Sequence, residues 1–250
     1  MIHRAWDELA RIYAASTVET ELAQTREFAL GRLDEGRQVG AWLLERFPAR
    51  RPLRVLDVGA GNGGVSLGVA NYAATEVHAL DVLVNPELRA LQRETALPIH
   101  ASVGVGERLP FRDGSFDVVL CLETIEHVRD PQFLAREILR VLNEGGECMI
   151  TTPARFRYFF RRDPHYGIPG LLLLPDALQR FVATKIVRRT KSYDVEHIFW
   201  SVAEIVRLFE GATKHEAFWN RAYPSARSRQ RDAIWFRYKH LMWDRIVVTK

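Results

Sequence analysis

Two hydrophobic rhythms alternate along this chain. Residues 5–30 carry apolar residues at helical spacing: Trp6, Leu9, Ile12 and Tyr13 share one face, and Leu22, Phe28 and Leu30 continue after a break near Ser16-Thr17. A second helix is predicted over about Val39 to Phe47, ahead of Pro48. Short, β-branched apolar runs follow at 54–58, 76–80, 99–102, 116–121 and 147–152, separated by helix-length segments. That alternation predicts a doubly wound α/β fold, a parallel sheet with helices on both faces.

The punctuation agrees. Asp130-Pro131 opens a helix that runs through Val141-Leu142 and stops at Asn143-Glu144-Gly145-Gly146, proline early and glycine late. After Pro153 the rhythm fails until Ser201-Val202-Ala203-Glu204, a capping box for a helix to Glu210. Two last strand candidates, 213–219 and 243–249, would close the sheet as an antiparallel edge pair. Four regions result: a helical cap over 1–50, an α/β core over 51–152, an insertion over 153–200, and a closing helix with edge strands over 201–250.

The strongest chemical signal is Val55-Leu56-Asp57-Val58-Gly59-Ala60-Gly61-Asn62-Gly63-Gly64, a buried strand running into glycines and then a helical stretch. Glycines let a ligand lie against the backbone, and the helix that follows offers free N–H groups to an anionic group. Gly59, Gly61 and Gly64 also fit the dinucleotide pattern, so an NAD-linked oxidoreductase is a rival reading. Asp57 ahead of the first glycine separates the two, together with Leu109-Pro110-Phe111, Phe116-Asp117-Val118-Val119 and the 139–146 segment.

With those segments, residues 50–152 resemble the class I S-adenosylmethionine-dependent methyltransferases, in the small-molecule group that includes the quinone-biosynthesis C-methyltransferases. The resemblance implies seven strands in the order 3-2-1-4-5-7-6 with the seventh antiparallel. It implies that Asp57, Gly59, Ala60, Gly61 and Gly63 hold the methionine end of S-adenosyl-L-methionine, and that Asp81, followed by Val82, binds the ribose hydroxyls. The adenine-side acid common in the family is Val105 here, which leaves Gly106 and Glu107 for that role. Leu122 and Glu123 match the positions that flank the sulfonium, and the product would be S-adenosyl-L-homocysteine.

Charge sharpens the question of the acceptor. Residues 1–152 hold 16 Arg against 22 Asp and Glu, a balance of −6, whereas 153–250 hold 19 Lys and Arg against 9 acids, a balance of +10. Within the insertion, Arg155, Arg157, Arg161, Arg162, Arg180, Lys185, Arg188, Arg189 and Lys191 mix with Phe156, Tyr158, Phe159, Phe160 and the Leu171–Leu174 run. Such a surface suits an anionic lipid face or a phosphorylated acceptor with an apolar tail, and a lid with solvated arginines is the plainer alternative. RNA is disfavoured as acceptor because Leu122-Glu123-Thr124-Ile125 stands where amide-nitrogen enzymes carry an Asn-Pro-Pro-Tyr-like motif. A non-catalytic module that retains the fold is the remaining alternative.

A hydroxyl acceptor would benefit from a base, for which His127, His165 and His197 are candidates, with Tyr13 and Tyr166 as further acceptor-side polar groups. Asp163, His165, Glu196 and His197 lack a close metal-ligand spacing, and no metal is expected. Cys121 and Cys148 sit in apolar runs, and Met1–Glu8 holds acids where a signal peptide needs an apolar core. The expectation is a cytoplasmic methyltransferase acting on a small or lipid-linked acceptor, at most peripheral to the inner face of a membrane.

Overall fold

The computed structural model describes residues 23–49, 52–72, 75–83, 86–153, 155, 167–186, 195–218 and 245–250. The elements in chain order are α1 (Ala23–Arg46), β1 (Leu53–Val58), α2 (Gly64–Tyr72), β2 (Thr75–Asp81), α3 (Pro86–Thr95), β3 (Ile99–Val103), β4 (Phe116–Leu122), α4 (Pro131–Val141), β5 (Leu142–Thr151), α5 (Asp176–Phe181), α6 (Val202–Leu208), β6 (Lys214–Phe218) and β7 (Arg245–Thr249). The expected helix before residue 23, with its break, lies outside the described residues, as do Tyr13, His165, Tyr166 and the 156–166 stretch.

All seven strands join one sheet in the order β3-β2-β1-β4-β5-β7-β6. The first five pair in parallel, and β7 runs antiparallel between β5 and β6. This is the doubly wound topology that the resemblance implies. The central strands are buried on both faces, which is why they read as unbroken apolar runs. One face packs Val55, Val77, Val118 and Leu120 against α1 and α2; the other packs Leu56, Val119 and Ile150 against α4 and α6.

Two elements differ from the expectation. The N-terminal segment is one continuous helix through residues 31–38, where the sequence left a gap between two helices. Its glycines are used for close packing on α2: a Cβ at Gly36 would lie 2.4 Å from the Val65 carbonyl oxygen, and one at Gly68 would lie 2.5 Å from that of Leu33. Tertiary contact outweighs the helix penalty of glycine. The fifth strand begins at Leu142, directly after the helix, and absorbs Gly145 at positive φ (70°). The side chain of Asn143 donates to Asp117 at 3.0 Å and ties this extension to β4.

The insertion makes a small core of its own. Leu171, Ala183 and Val195 are buried together, with Ile168, Leu174 and Ile198 packed around them. Leu172 is also buried, and Leu173 and Leu174 are partly buried. Arg155, expected to face a ligand or solvent, is only 4% exposed. Its guanidinium donates to the carbonyls of Leu172 (2.9 Å), Leu174 (3.1 Å) and Ile198 (3.1 Å) and to Asp176 (3.0 Å), and it lies 4.2 Å from the Trp200 ring. Buried charge needs this saturation. No helix among the described residues is long and apolar enough to cross a membrane.

Candidate active site

The carboxyl ends of β1, β2 and β4 converge on one cleft, the place where open α/β sheets bind ligands. β1 leads into a turn with Gly59, Gly61 and Gly63 at φ of 76°, 54° and 82°. At Gly59 a side chain is excluded twice, by the positive φ and by Thr124, whose Oγ1 would stand 2.3 Å from a Cβ. Thr124 Oγ1 in turn donates to the Val58 carbonyl at 3.0 Å, which clasps the loop after β4 to the end of β1. The N–H groups of Gly59 and Ala60 both donate to Leu80 O, and Gly61 N–H donates to Asp81 Oδ2 at 2.8 Å.

Asp57 lies buried beneath this turn and accepts from the Ser66 hydroxyl at 2.6 Å, linking β1 to the first turn of α2. Burial pushes its carboxyl up to about 6, although the Ser66 hydrogen bond and the Arg32 guanidinium both favour the charged form.

The cleft has a volume of about 810 Å³. Its wall takes in Gly59, Asp81, Val82, Gly106, Glu107, Glu123 and His127 from the expected set, with Val58, Leu80, Val105, Thr124, Arg129, Asp130 and Phe133. Glu123 adopts a φ of 56°, uncommon for a residue with a Cβ, and its N–H is held by the carbonyl (2.9 Å) and hydroxyl (3.0 Å) of Thr151. Glu107 accepts the Arg129 N–H at 2.9 Å, and Asp130 caps α4 by accepting from Gln132 and Phe133.

Asp57, Ala60, Gly61, Gly63, Leu122 and His197 of the expected set stand outside that wall, the first four in or beneath the glycine turn. Leu122 is buried in the core, outside the cleft wall. His197 is also outside that wall; its Nε2 meets the Arg129 carbonyl at 3.2 Å, and its ring stacks on Phe199. The N–H groups of residues 196 and 197 both donate to the Glu126 carbonyl, so this histidine belongs to the clasp that fastens the 195–199 segment to the loop after β4. Cys121 and Cys148 are core residues, and burial pushes both thiols far up, away from thiolate chemistry.

Sequence reasoning passed over Thr124, Glu126 and the chemistry of β2 and β3. Glu126 is fully buried, and burial followed by the nearby charge of Glu123 pushes its carboxyl well up. The Glu123-Thr124-Ile125-Glu126 spacing was a usable signal for both residues. Glu76, His78 and His100 bring three ligand-type side chains together on the sheet, which strand parity in β2 hinted at and the β2–β3 register completes.

Comparison with known proteins agrees with this geometry. Residues 56–150 match the methyltransferase domain family. The norajmaline N-methyltransferase of Rauvolfia serpentina is 33% identical over 113 residues, 43% of this chain and 38% of that protein. The ubiquinone biosynthesis O-methyltransferase of Sodalis glossinidius is 35% identical over 115 residues, 44% of this chain and 45% of that one. Each match thus spans less than half the length of the curated relative. Among solved structures, Haemonchus contortus phosphoethanolamine N-methyltransferase 2, in complex with S-adenosyl-L-methionine, shares the fold. It superposes with a TM-score of 0.56 at 18% identity, over 95% of this chain and 60% of that one. Family match, strand order and the glycine turn at the carboxyl end of β1 together make residues 56–150 a methyltransferase domain of the class I, S-adenosylmethionine-dependent kind.

Proposed function

We propose that the chain moves the methyl group of S-adenosylmethionine onto an oxygen of a small-molecule or lipid-linked acceptor held in this cleft. The observation that carries the reading is the make-up of one continuous wall. Asp81 and the Gly59 turn stand at one part of it, Glu123 and His127 at another, with apolar Val58, Leu80 and Phe133 alongside.

The residues present fit the cofactor. Among the described residues, no atom beyond Gly61 and its two chain neighbours lies within 4 Å of where a Gly61 Cβ would stand, so a ligand can approach the backbone there. The Asp81 carboxylate accepts two backbone N–H groups, from Gly61 and Leu83, and a carboxylate has about four lone-pair sites, which leaves room for ribose hydroxyls. In this reading Asp57, Gly59, Ala60, Gly61 and Gly63 form the turn around the methionine end, and Asp81 and Val82 hold the ribose. Gly106 and Glu107 border the adenine, and Glu123 flanks the sulfonium. Bound there, S-adenosylmethionine supplies a methyl carbon made electrophilic by positively charged sulfur.

What remains for the chain is to hold the acceptor oxygen close, in line and dry. His127 is the histidine of the cleft wall, and it takes the proton from the acceptor hydroxyl at an imidazole nitrogen. Glu123 keeps a strained backbone that turns the chain at the cleft; strain of this kind persists where the surrounding structure enforces it, and it clusters at functional sites. The ubiquinone-pathway relative supports oxygen as the methylated atom, and the norajmaline relative argues for nitrogen.

The test is transfer of isotopically labelled methyl from S-adenosylmethionine to a panel of catechols, tailed quinols, phosphorylated alcohols and secondary amines. Labelled O-methyl product is expected, and His127→Gln should lower kcat by about 10² to 10⁴-fold with S-adenosylhomocysteine affinity unchanged. Product on amines alone would overturn the oxygen assignment. Cofactor binding without any product would favour the non-catalytic alternative.

A further inference from the structure

We propose that Glu76, His78 and His100 form a binding site for a divalent transition-metal cation of the zinc type, on the sheet and separate from the cofactor cleft. Glu76 and His78 are two residues apart on β2 and therefore share a face. His78 pairs in parallel register with His100 on β3, which puts all three side chains on that face.

The spacing is that of a ligand set. Glu76 Oε1 lies 3.2 Å from His78 Nε2 and 3.4 Å from His100 Nε2, and one donor atom from each residue fits within a mutual 4.8 Å. Donors about 2.0 to 2.1 Å from a tetrahedral zinc ion stand roughly 3.3 Å apart. The two separations match that edge; the 3.2 Å pair is a hydrogen bond as it stands, and 3.4 Å is long for one.

Two imidazoles and one carboxylate are a borderline donor set that selects zinc-type ions over magnesium or calcium, and three protein ligands leave one coordination position open to water. The support is also built. The His78 ring is wedged edge-on against Phe111 (5.7 Å) and Phe116 (5.2 Å), which fixes its orientation before any ion arrives. His100 is 52% exposed and gives the ion an entry path. Arg54, opposite Glu76 on β1, is the unfavourable neighbour; its guanidinium lies 5.7 Å from the Phe116 ring.

β3 is an edge strand, and the bond it would gain through His100 staples that edge to β2. The chain leaving β3 supplies Gly104, Val105 and Gly106 to the cleft, so the staple also steadies one of its walls.

The experiment is calorimetric titration of the purified full chain with Zn²⁺, with Co²⁺ absorption as a geometric readout and thermal melting as a second measure. Expected are one ion per chain, tetrahedral Co²⁺ bands, a melting temperature that rises with Zn²⁺, and no response to Mg²⁺. His100→Ala, at a half-exposed position, and Glu76→Gln should each weaken binding by about tenfold or more, while the exposed His215→Ala should leave it unchanged. Absence of one-to-one uptake would overturn the proposal. So would uptake that survives both substitutions, or that falls equally with His215→Ala.

Discussion

Asp57→Asn should make the protein more stable at neutral pH while leaving its stability near pH 4 unchanged. The buried carboxyl is pushed up to about 6, against an ordinary aspartate value of about 3.9. At 1.36 kcal/mol per unit, holding the charge in the folded state at pH 7.5 costs about 3 kcal/mol. Because the folded value lies above the unfolded one, the folded chain binds more protons between about pH 4 and 6. Stability from this group is therefore full below the unfolded value, falls as pH rises through the folded value, and is flat above it. Asparagine keeps an acceptor for the Ser66 hydroxyl and removes the charge. Urea unfolding of both chains from pH 4 to 8, followed by tryptophan fluorescence, reads the effect, since titrating groups not coupled to Asp57 cancel in the difference. The variant should gain up to about 3 kcal/mol at pH 7.5, with the gain vanishing near pH 4. A difference that does not change with pH, or a variant less stable throughout, would refute the reasoning.

Other substitutions probe the architecture around the cleft. Gly59→Ala combines a positive φ with a clash on Thr124 and should lower stability by about 1 to 3 kcal/mol, read as a lower urea midpoint; an unchanged midpoint would mean that the turn is not held as described. Arg155→Ala strands several carbonyls and should cost about 2 to 4 kcal/mol, with hydrogen exchange accelerated at 171–174 and 195–199 and slow exchange kept in β1 and β4; uniform acceleration would show that the insertion does not unfold separately. His197→Ala should leave kcat within about twofold while lowering thermal stability, because the residue stands outside the cleft wall and its ring meets the main-chain carbonyl of Arg129; a large kcat loss with unchanged stability would return it to the chemistry.

The sheet was legible because its central strands are buried on both faces, so each reads as an apolar run between turn signals. Val55–Val58 and Val118–Cys121 are examples. The glycine turn was legible because its backbone conformations demand glycine. What stayed hidden depended on partners far away in sequence. Gly36 reads as a helix weakener until α2 is seen against it. Arg155 reads as a surface charge, because the groups that saturate it are mostly main-chain carbonyls with no sequence signature. His78 and His100 lie 22 positions apart, and only the parallel register of β2 with β3 makes them neighbours. The placement of His197 beside the Arg129 carbonyl likewise depends on a partner 68 positions away.

The central claim is that the cleft at the carboxyl ends of β1, β2 and β4 holds S-adenosylmethionine through the glycine turn and Asp81. Calorimetric titration with S-adenosylhomocysteine, of the native chain beside Asp81→Ala and with NADH as the competing ligand class, tests it most directly. The account predicts one site per chain, a loss of about 1 to 3 kcal/mol in the variant, and no heat with NADH. Undiminished affinity in Asp81→Ala, or binding of NADH in place of S-adenosylhomocysteine, would contradict it.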